Sequence, residues 1–293
     1  MQGLIIENIS NTYKIKTENG IYDALARGKL KKDEIIPVVG DIVEFQKIEG
    51  EENKFIIEKI FERKNYCKRP KVSNLTQMIY IVSSKEPKPD LLLLDKQLAF
   101  AEFLKINAII VFNKIDLDKK REAKKIKEIY QKIGYKVFET QAKERKGVEE
   151  LIKILKNNVN AFSGNSGVGK STLINAIFKK DMTQEGEVSK KNKRGKNTTT
   201  AIKMYEIDKN TYITDTPGFS TFSIEEIQSK DLAKYFKEFV KYQKECEFLD
   251  CTHTKEQKCG IKKAIENGYI SKDRYQRFCK IYEELKEKEA RKW

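Results

Sequence analysis

The sequence predicts a multidomain chain of three unlike regions: a small amino-terminal β-barrel, a central α/β region on a parallel sheet, and a mainly helical carboxy-terminal region. Residues 1 to about 68 read as short β-runs punctuated by turn residues. From about residue 75, short apolar runs alternate with helical patterns. After about Ser223 the pattern is helical, interrupted by three Cys and the single His of the chain. The 293 residues suffice for two or three domains that each bury a core.

Composition limits the class of protein. Charged residues make up 35% and the hydrophobic set 39% of the chain, a heavily solvated balance. There is no run of about 18 apolar residues, and Met1 to Ser10 lacks the basic start and long apolar stretch of a signal peptide. A cytoplasmic location with no membrane association is expected, and monomer is the default. The net charge of +15, from 59 Lys+Arg against 44 Asp+Glu, fits either a Lys-rich proteome or a polyanionic partner. Excess cationic charge attracts phosphate backbones and gains from counterion release. Five Cys do not suggest a secreted disulfide framework, and Cys67 and Cys279, apart from the other three, read as buried or ordinary thiols.

In the first region the runs "LIIENI", "TYKIKT", "IYDALARG", "DIVEFQKI" and "KFIIEKIFER" are separated by Asn19-Gly20, Val39-Gly40-Asp41 and Gly50-Glu51. Asn-Gly between two such runs is a strong hairpin signal. Five strands in this length suggest an oligonucleotide-binding (OB) barrel, with an SH3-like barrel as the alternative. In the second region the strands are "QMIYIVSS", "NAIIVFNK", "YKVFET", "VNAFSG" and "TYITDTPG". Helical patterns at Asp90–Lys105, Asp118–Ile133, Val148–Asn157 and Lys170–Lys179 lie between several of them. Such alternation argues for a βαβ arrangement and a parallel sheet.

The chemistry sits where these strands end. Gly164-Asn165-Ser166-Gly167-Val168-Gly169-Lys170-Ser171 fits G-x-x-x-x-G-K-[ST] between a strand and a helix, with Thr172 next. Its glycines let backbone N–H groups turn around a β-phosphate, and the helix start adds its positive dipole end. Lys170 would reach the β- and γ-phosphates, and the Ser171 hydroxyl would ligate Mg²⁺, a hard cation that prefers oxygen. Asn113-Lys114-Ile115-Asp116 closes the strand "AIIVF". The Asp116 carboxylate can accept both N1–H and N2–H of guanine, a donor pair adenine lacks. Asn113 can serve the guanine carbonyl side, the Lys114 stem can lie over the ring, and Thr140-Gln141-Ala142 is a candidate base-supporting loop. Asp215-Thr-Pro-Gly218 ends "TYIT": Asp215 would hold a Mg²⁺ water and Gly218 would sense the γ-phosphate. Within "RGKNTTT", Thr199 is the choice for a hydroxyl on Mg²⁺ and γ-phosphate, with Thr198 the near competitor.

The order of these phrases is unusual. In GTPases the phosphate loop, switch threonine and D-x-x-G come before N-K-x-D and the base-supporting loop; here the last two come first. That order predicts a circularly permuted P-loop GTPase, in which switch II would lead straight out of the core into the segment beyond Gly218. That segment carries Cys246-x4-Cys251-x-His253-x5-Cys259, three thiolates and an imidazole that can close a tetrahedral, structural Zn²⁺ site.

The phrases "NKID", "GNSGVGKSTLINA", "EVSKKNKRGKNTTT", "DTPGF", "CEFLDCTHTKEQKC" and the tail "AIENGYISKDRYQRFCKIYEEL" together resemble the ribosome small-subunit-dependent GTPase A family. These are circularly permuted GTPases that assist late maturation of the small ribosomal subunit. The resemblance spans essentially the whole chain and implies an OB-fold RNA-binding barrel (1–68), a permuted GTPase domain (69–222) and a mainly helical zinc-binding domain (223–293). It further implies GTP/GDP, Mg²⁺ and one structural Zn²⁺ as cofactors, and the small subunit with its rRNA as partner. Lys170, Thr199, Asp215 and Gly218 would form the catalytic set, and Lys190, Lys191, Lys193, Arg194 and Lys196 would help hold rRNA. The chain departs from the family at Asn197, where His is common before the switch threonines, and carries Phe219 where many GTPases have a water-orienting Gln. With neither in place, turnover by the isolated protein should be slow. Two other classes are an RNA-binding assembly module that uses GTP only as a switch with negligible turnover, and a GTPase acting on tRNA or a membrane.

Overall fold

The computed structural model describes residues 1–28, 36–51, 54–178, 202–215 and 224–291, without the side chain of Asp215. The chain forms two compact units, one of residues 1–79, 142–164 and 170–220, the other of residues 80–141, 165–169 and 221–293.

The first unit begins with β1 (Gln2–Ile9), β2 (Thr12–Thr17), β3 (Gly20–Ala26), β4 (Ile42–Lys47) and β5 (Phe55–Ile60). β1, β2 and β3 pair antiparallel in sequence. β3 then pairs with β5 in parallel, β5 with β4 antiparallel, and β4 returns to β1. That 1-2-3-5-4-1 closure is the OB barrel rather than the SH3-like alternative, and it leaves these strands no free edge. Alternation does the sorting: Tyr13 and Ile15 of β2 point inward with Ile5, Ala24, Val43, Phe45 and Ile57, while Lys14 and Lys16 stay at the surface. A hairpin of β6 (Tyr66–Lys68) and β7 (Lys71–Ser73) comes next, outside the predicted strands because three-residue strands show no readable alternation. It is tied to the barrel by the fully buried Asp41, which accepts hydrogen bonds from Ser73 Oγ (2.6 Å), the Val38 N–H (2.8 Å) and Arg63 (2.7 Å).

The chain continues through β8 (Gln77–Ser83), α1 (Leu91–Phe103), β9 (Asn107–Asn113), α2 (Glu122–Ile133), β10 (Lys136–Thr140), α3 (Val148–Leu155), β11 (Val159–Ser163) and α4 (Lys170–Phe178). Then come β12 (Lys203–Asp208), β13 (Thr211–Asp215), α5 (Lys237–Val240), α6 (Gly260–Glu266) and α7 (Lys272–Ala290). In the first unit β11 and β13 are parallel, as the α/β alternation predicts. β12 is not among the predicted strands and runs antiparallel to β13. Only Lys209-Asn210 separates them, with Asn210 at φ 57, and a two-residue turn permits nothing but a hairpin. β12 also meets β1, with Glu7 opposite Lys203.

In the second unit β9 and β10 are parallel, in register from Ile109 opposite Lys136 to Asn113 opposite Thr140. Both strands therefore deliver their carboxyl ends, where the predicted base-binding phrases lie, to the same edge. α1 is apolar nearly all round, burying Leu94, Leu98, Ala99, Phe100 and Ala101. It also buries Asp95, which accepts from Tyr130 Oη (2.7 Å) on α2 and from Arg274 and Arg277 on α7. Arg274, 1% exposed, pairs on its other side with Glu238 of α5. A buried guanidinium survives only with such complete pairing, so these charges fix how α1, α2, α5 and α7 pack.

Candidate nucleotide and metal sites

Five residues of the phosphate loop, Asn165 to Gly169, belong to the second unit with the N-K-x-D phrase, and the two are joined directly. Asn113, 2% exposed at the end of β9, donates from Nδ2 to the Val168 carbonyl (3.0 Å) and accepts at Oδ1 from Thr140 Oγ1 (3.0 Å). One amide thus links phosphate loop, N-K-x-D and the end of β10. The side chain that sequence reasoning aims at the guanine carbonyl is engaged inside the protein, a role the motif alone does not reveal. The fit is close: a Cβ on Gly169, whose φ is +90°, would lie 2.4 Å from Asn113 Nδ2. Gly167, at φ +81°, has room for a side chain but a backbone conformation that favours glycine.

Lys114 sits at φ 61 with Nζ donating to the Glu86 carbonyl (2.9 Å). Asp116 lies exposed on the single turn Ile115–Leu117. Asp118 then closes the turn by accepting from the Glu122 and Ala123 N–H groups (3.0 and 2.8 Å), which starts α2. Thr140, at the end of β10 in the second unit, is buried, and so is Ala142 in the first. In the first unit Gly164 is buried after β11, and Lys170, Ser171 and Thr172 form the first turn of α4, Lys170 half-buried and the two hydroxyl residues exposed. Asp215 ends β13. Thr198, Thr199, Asn197, Gly218, Phe219 and the basic run from Lys190 to Lys196 lie outside the described residues.

Sequence reasoning missed the segment between β8 and α1. Asp90 caps α1, accepting at Oδ1 from the Leu93 N–H (3.0 Å), and its Oδ2 accepts from Asn165 Nδ2 of the phosphate loop (3.3 Å). Asp before an apolar helical run is a readable cap; its contact with a residue far along the chain is not.

The Cys/His cluster is assembled as expected. The ligand atoms of Cys246, Cys251, His253 and Cys259 all lie within 4.8 Å of one another. His253 Nδ1 is 3.5 Å from Cys246 Sγ and 3.4 Å from Cys259 Sγ, and the two sulfurs are 3.9 Å apart. Tetrahedral coordination at metal–sulfur and metal–nitrogen lengths of about 2.3 and 2.0 Å puts ligand atoms roughly 3.5–3.8 Å apart, so this donor set fits Zn²⁺. Burial, with the neighbouring thiols, pushes Cys251 up to about 12 and raises Cys259, while burial lowers His253. A bound cation reverses this for the thiols, which ligate as thiolates. Glu256 holds the loop, accepting from the Thr252 N–H and hydroxyl and from the Thr254 and Lys255 N–H groups. Burial opposes its ionisation, but hydrogen bonds from its own N–H, from Thr252 and from the Lys255 N–H bring it down to about 2. Tyr275 of α7 donates to the His253 carbonyl (2.8 Å), anchoring the cluster on the last helix.

A five-stranded OB barrel, a phosphate loop placed after its base-reading loop in the chain, and a Cys₃His cluster define a circularly permuted GTPase with a carboxy-terminal metal-binding region. The family model described as RsgA GTPase matches residues 60–225, and that of the RsgA N-terminal domain matches residues 2–54. A relative from Caldanaerobacter subterraneus subsp. tengcongensis, "Small ribosomal subunit biogenesis GTPase RsgA", is 40% identical over 293 residues, covering 100% of this chain and 98% of the relative. A relative of the same name from Clostridium novyi is 39% identical, with 100% of both chains covered. Among solved structures, YjeQ from Thermotoga maritima superposes with a TM-score of 0.83 at 36% identity, over 97% of this chain and 98% of that one. YloQ, described as a circularly permuted GTPase, does so at 0.81 and 26% identity, over 98% and 95%. The chain belongs to the RsgA GTPase family.

Proposed function

We propose that this protein is a GTP hydrolase that binds the small ribosomal subunit, assists its late maturation, is retained in the GTP state and leaves after hydrolysis. The observation that carries the reading is the Asn113–Val168 hydrogen bond, which joins base loop and phosphate loop in a chain aligned end to end with relatives named for small-subunit biogenesis. Asp116 selects guanine, with the Lys114 stem over the ring and Thr140 and Ala142 supporting the base. Asn165 to Gly169 cradle the β-phosphate, Gly164 and Thr172 flank the cradle, and Lys170 neutralises the β- and γ-phosphates. Ser171 and Thr199 would hold Mg²⁺, which supplies charge stabilisation between the terminal phosphates; Asp215 and Gly218 serve the switch side. Such positioning is most of what phosphoryl transfer asks of a protein. Cys246, Cys251, His253 and Cys259 hold one structural Zn²⁺, supported by their spacing in the fold.

We place the domain limits at 1–68, 69–222 and 223–293, supported by the separate family matches to the first two segments. The +15 charge supports rRNA as the surface bound. We place the protein in the cytoplasm as a monomer; no helix among the described residues is long and apolar enough to cross a membrane. A switch with negligible turnover is the second reading, favoured by Asn197, which cannot take a proton near neutral pH. GTP turnover with and without small subunits, across a salt series, decides between them. Stimulation is expected, with affinity for the subunit falling by roughly one unit of log–log slope per phosphate contacted. Turnover unchanged by subunits would leave the switch reading standing.

A further inference from the structure

Residues 84–90, between β8 and α1, touch both halves of the nucleotide site. The Glu86 carbonyl accepts from Lys114 Nζ of the N-K-x-D loop and from Ser83 Oγ (2.7 Å). The Pro87 ring is 3.7 Å from the position a Cβ would take on Gly167. Asp90 divides its carboxylate, one oxygen on the Leu93 N–H of α1 and the other on the Asn165 amide of the phosphate loop. Capping fixes the Asp90 side chain relative to the helix axis, so wherever α1 is held, the acceptor for Asn165 is held too.

α1 itself is held firmly within the second unit. Tyr80 Oη donates to the Gln97 carbonyl (2.8 Å), and Asp95 is clamped by Tyr130, Arg274 and Arg277. Lys96 pairs with Glu284 of α7, and Glu102 with Lys237 of α5 (2.9 Å). These bonds reach α1 from α2, α5, α7 and β8, leaving it little freedom to slide or turn. A group supported by such a locked outer layer keeps its geometry.

We propose that Asp90 is a positioning residue for nucleotide binding: it orients Asn165, and through it the phosphate loop, from a helix locked to the carboxy-terminal helices. The proposal rests on Gly164–Ser171 being the phosphate loop. It adds that a residue outside every nucleotide motif sets the affinity of that loop.

The test is a double-mutant cycle in the full-length, zinc-loaded protein, read by equilibrium binding of fluorescently labelled GDP. Asp90→Ser retains an N-cap oxygen for Leu93 but is too short for Asn165; Asp90→Asn also caps, and turns an amide towards an amide. GDP affinity is expected to fall about three- to tenfold in each, the scale of one ordinary net hydrogen bond, since water screens the charge of this exposed 3.3 Å contact. Asn165→Ala should give a similar loss, and Asn165→Ala combined with Asp90→Ser no more than either alone, because both remove the same contact. Thermal unfolding run in parallel should show Asp90→Asn melting with wild type, since the cap remains. Wild-type affinity in both Asp90 variants, or losses that simply add in the double variant, would overturn the proposal. A wild-type protein that binds no GDP would instead remove the phosphate-loop reading beneath it, a result distinct from either.

Discussion

Gly169→Ala probes the joint between the two loops most directly. An alanine there must hold φ near +90°, and its Cβ would sit 2.4 Å from Asn113 Nδ2, well inside contact distance. The backbone strain amounts to roughly 1–2 kcal/mol. Relieving the clash pushes the Asn113 amide off the Val168 carbonyl, and a buried amide donor left without a partner costs about 1–3 kcal/mol more. Together these come to about 2–5 kcal/mol, divided between weaker nucleotide binding and a lower melting temperature according to how far the free loop relaxes. If all of it falls on binding, labelled GDP should bind roughly 30-fold to several thousandfold more weakly, at about 1.4 kcal/mol per decade. Titration with labelled GDP and thermal unfolding on the same samples measure the two shares. Gly28→Ala is the control, since Gly28 has open space around it and no positive φ. A Gly169→Ala protein that both binds and melts like wild type would refute the reasoning.

Asp116→Asn should shift preference from guanine towards xanthine nucleotides, checked by competition of GDP and XDP; unchanged GDP selectivity removes Asp116 from the base site. Metal analysis of freshly purified protein should find about one zinc per chain, and Cys251→Ser or chelation should open the segment 246–259 to limited proteolysis while labelled GDP still binds. Glu256→Gln should destabilise that segment at neutral pH. Because the folded carboxyl titrates at about 2 against an ordinary 4.5, the stability it adds is present above about 4.5 and is lost as pH falls towards 2. The melting difference between wild type and Glu256→Gln should therefore be full near neutrality and shrink through that acid window, and a difference independent of pH would contradict the role of its ionised form.

Much of the molecule is legible in one dimension because its determinants are local. The five barrel strands announce themselves by alternation and turn residues, and the 1-2-3-5-4-1 closure is complete once the third strand pairs with the fifth. The phosphate loop, N-K-x-D and the Cys/His spacing are each contained in a short stretch, since a helix start, a strand-end turn and a chelate loop are shapes that neighbouring residues can impose. Their order alone establishes the permutation. Local pattern does not contain the meetings of distant groups. Asp95 and Lys96 read as ordinary charges in "LLLLDKQLAF", yet Asp95 is buried against Arg274, 179 residues away. Asn113 reads as a base contact, and only the approach of the phosphate loop gives its amide the Val168 carbonyl. β12 needed its partner β13 before six residues of mixed polarity could be recognised as a strand. Backbone conformation is set by neighbours within a few residues, whereas the pairing of buried charges and amides is settled only when distant segments close on one another and water is excluded between them.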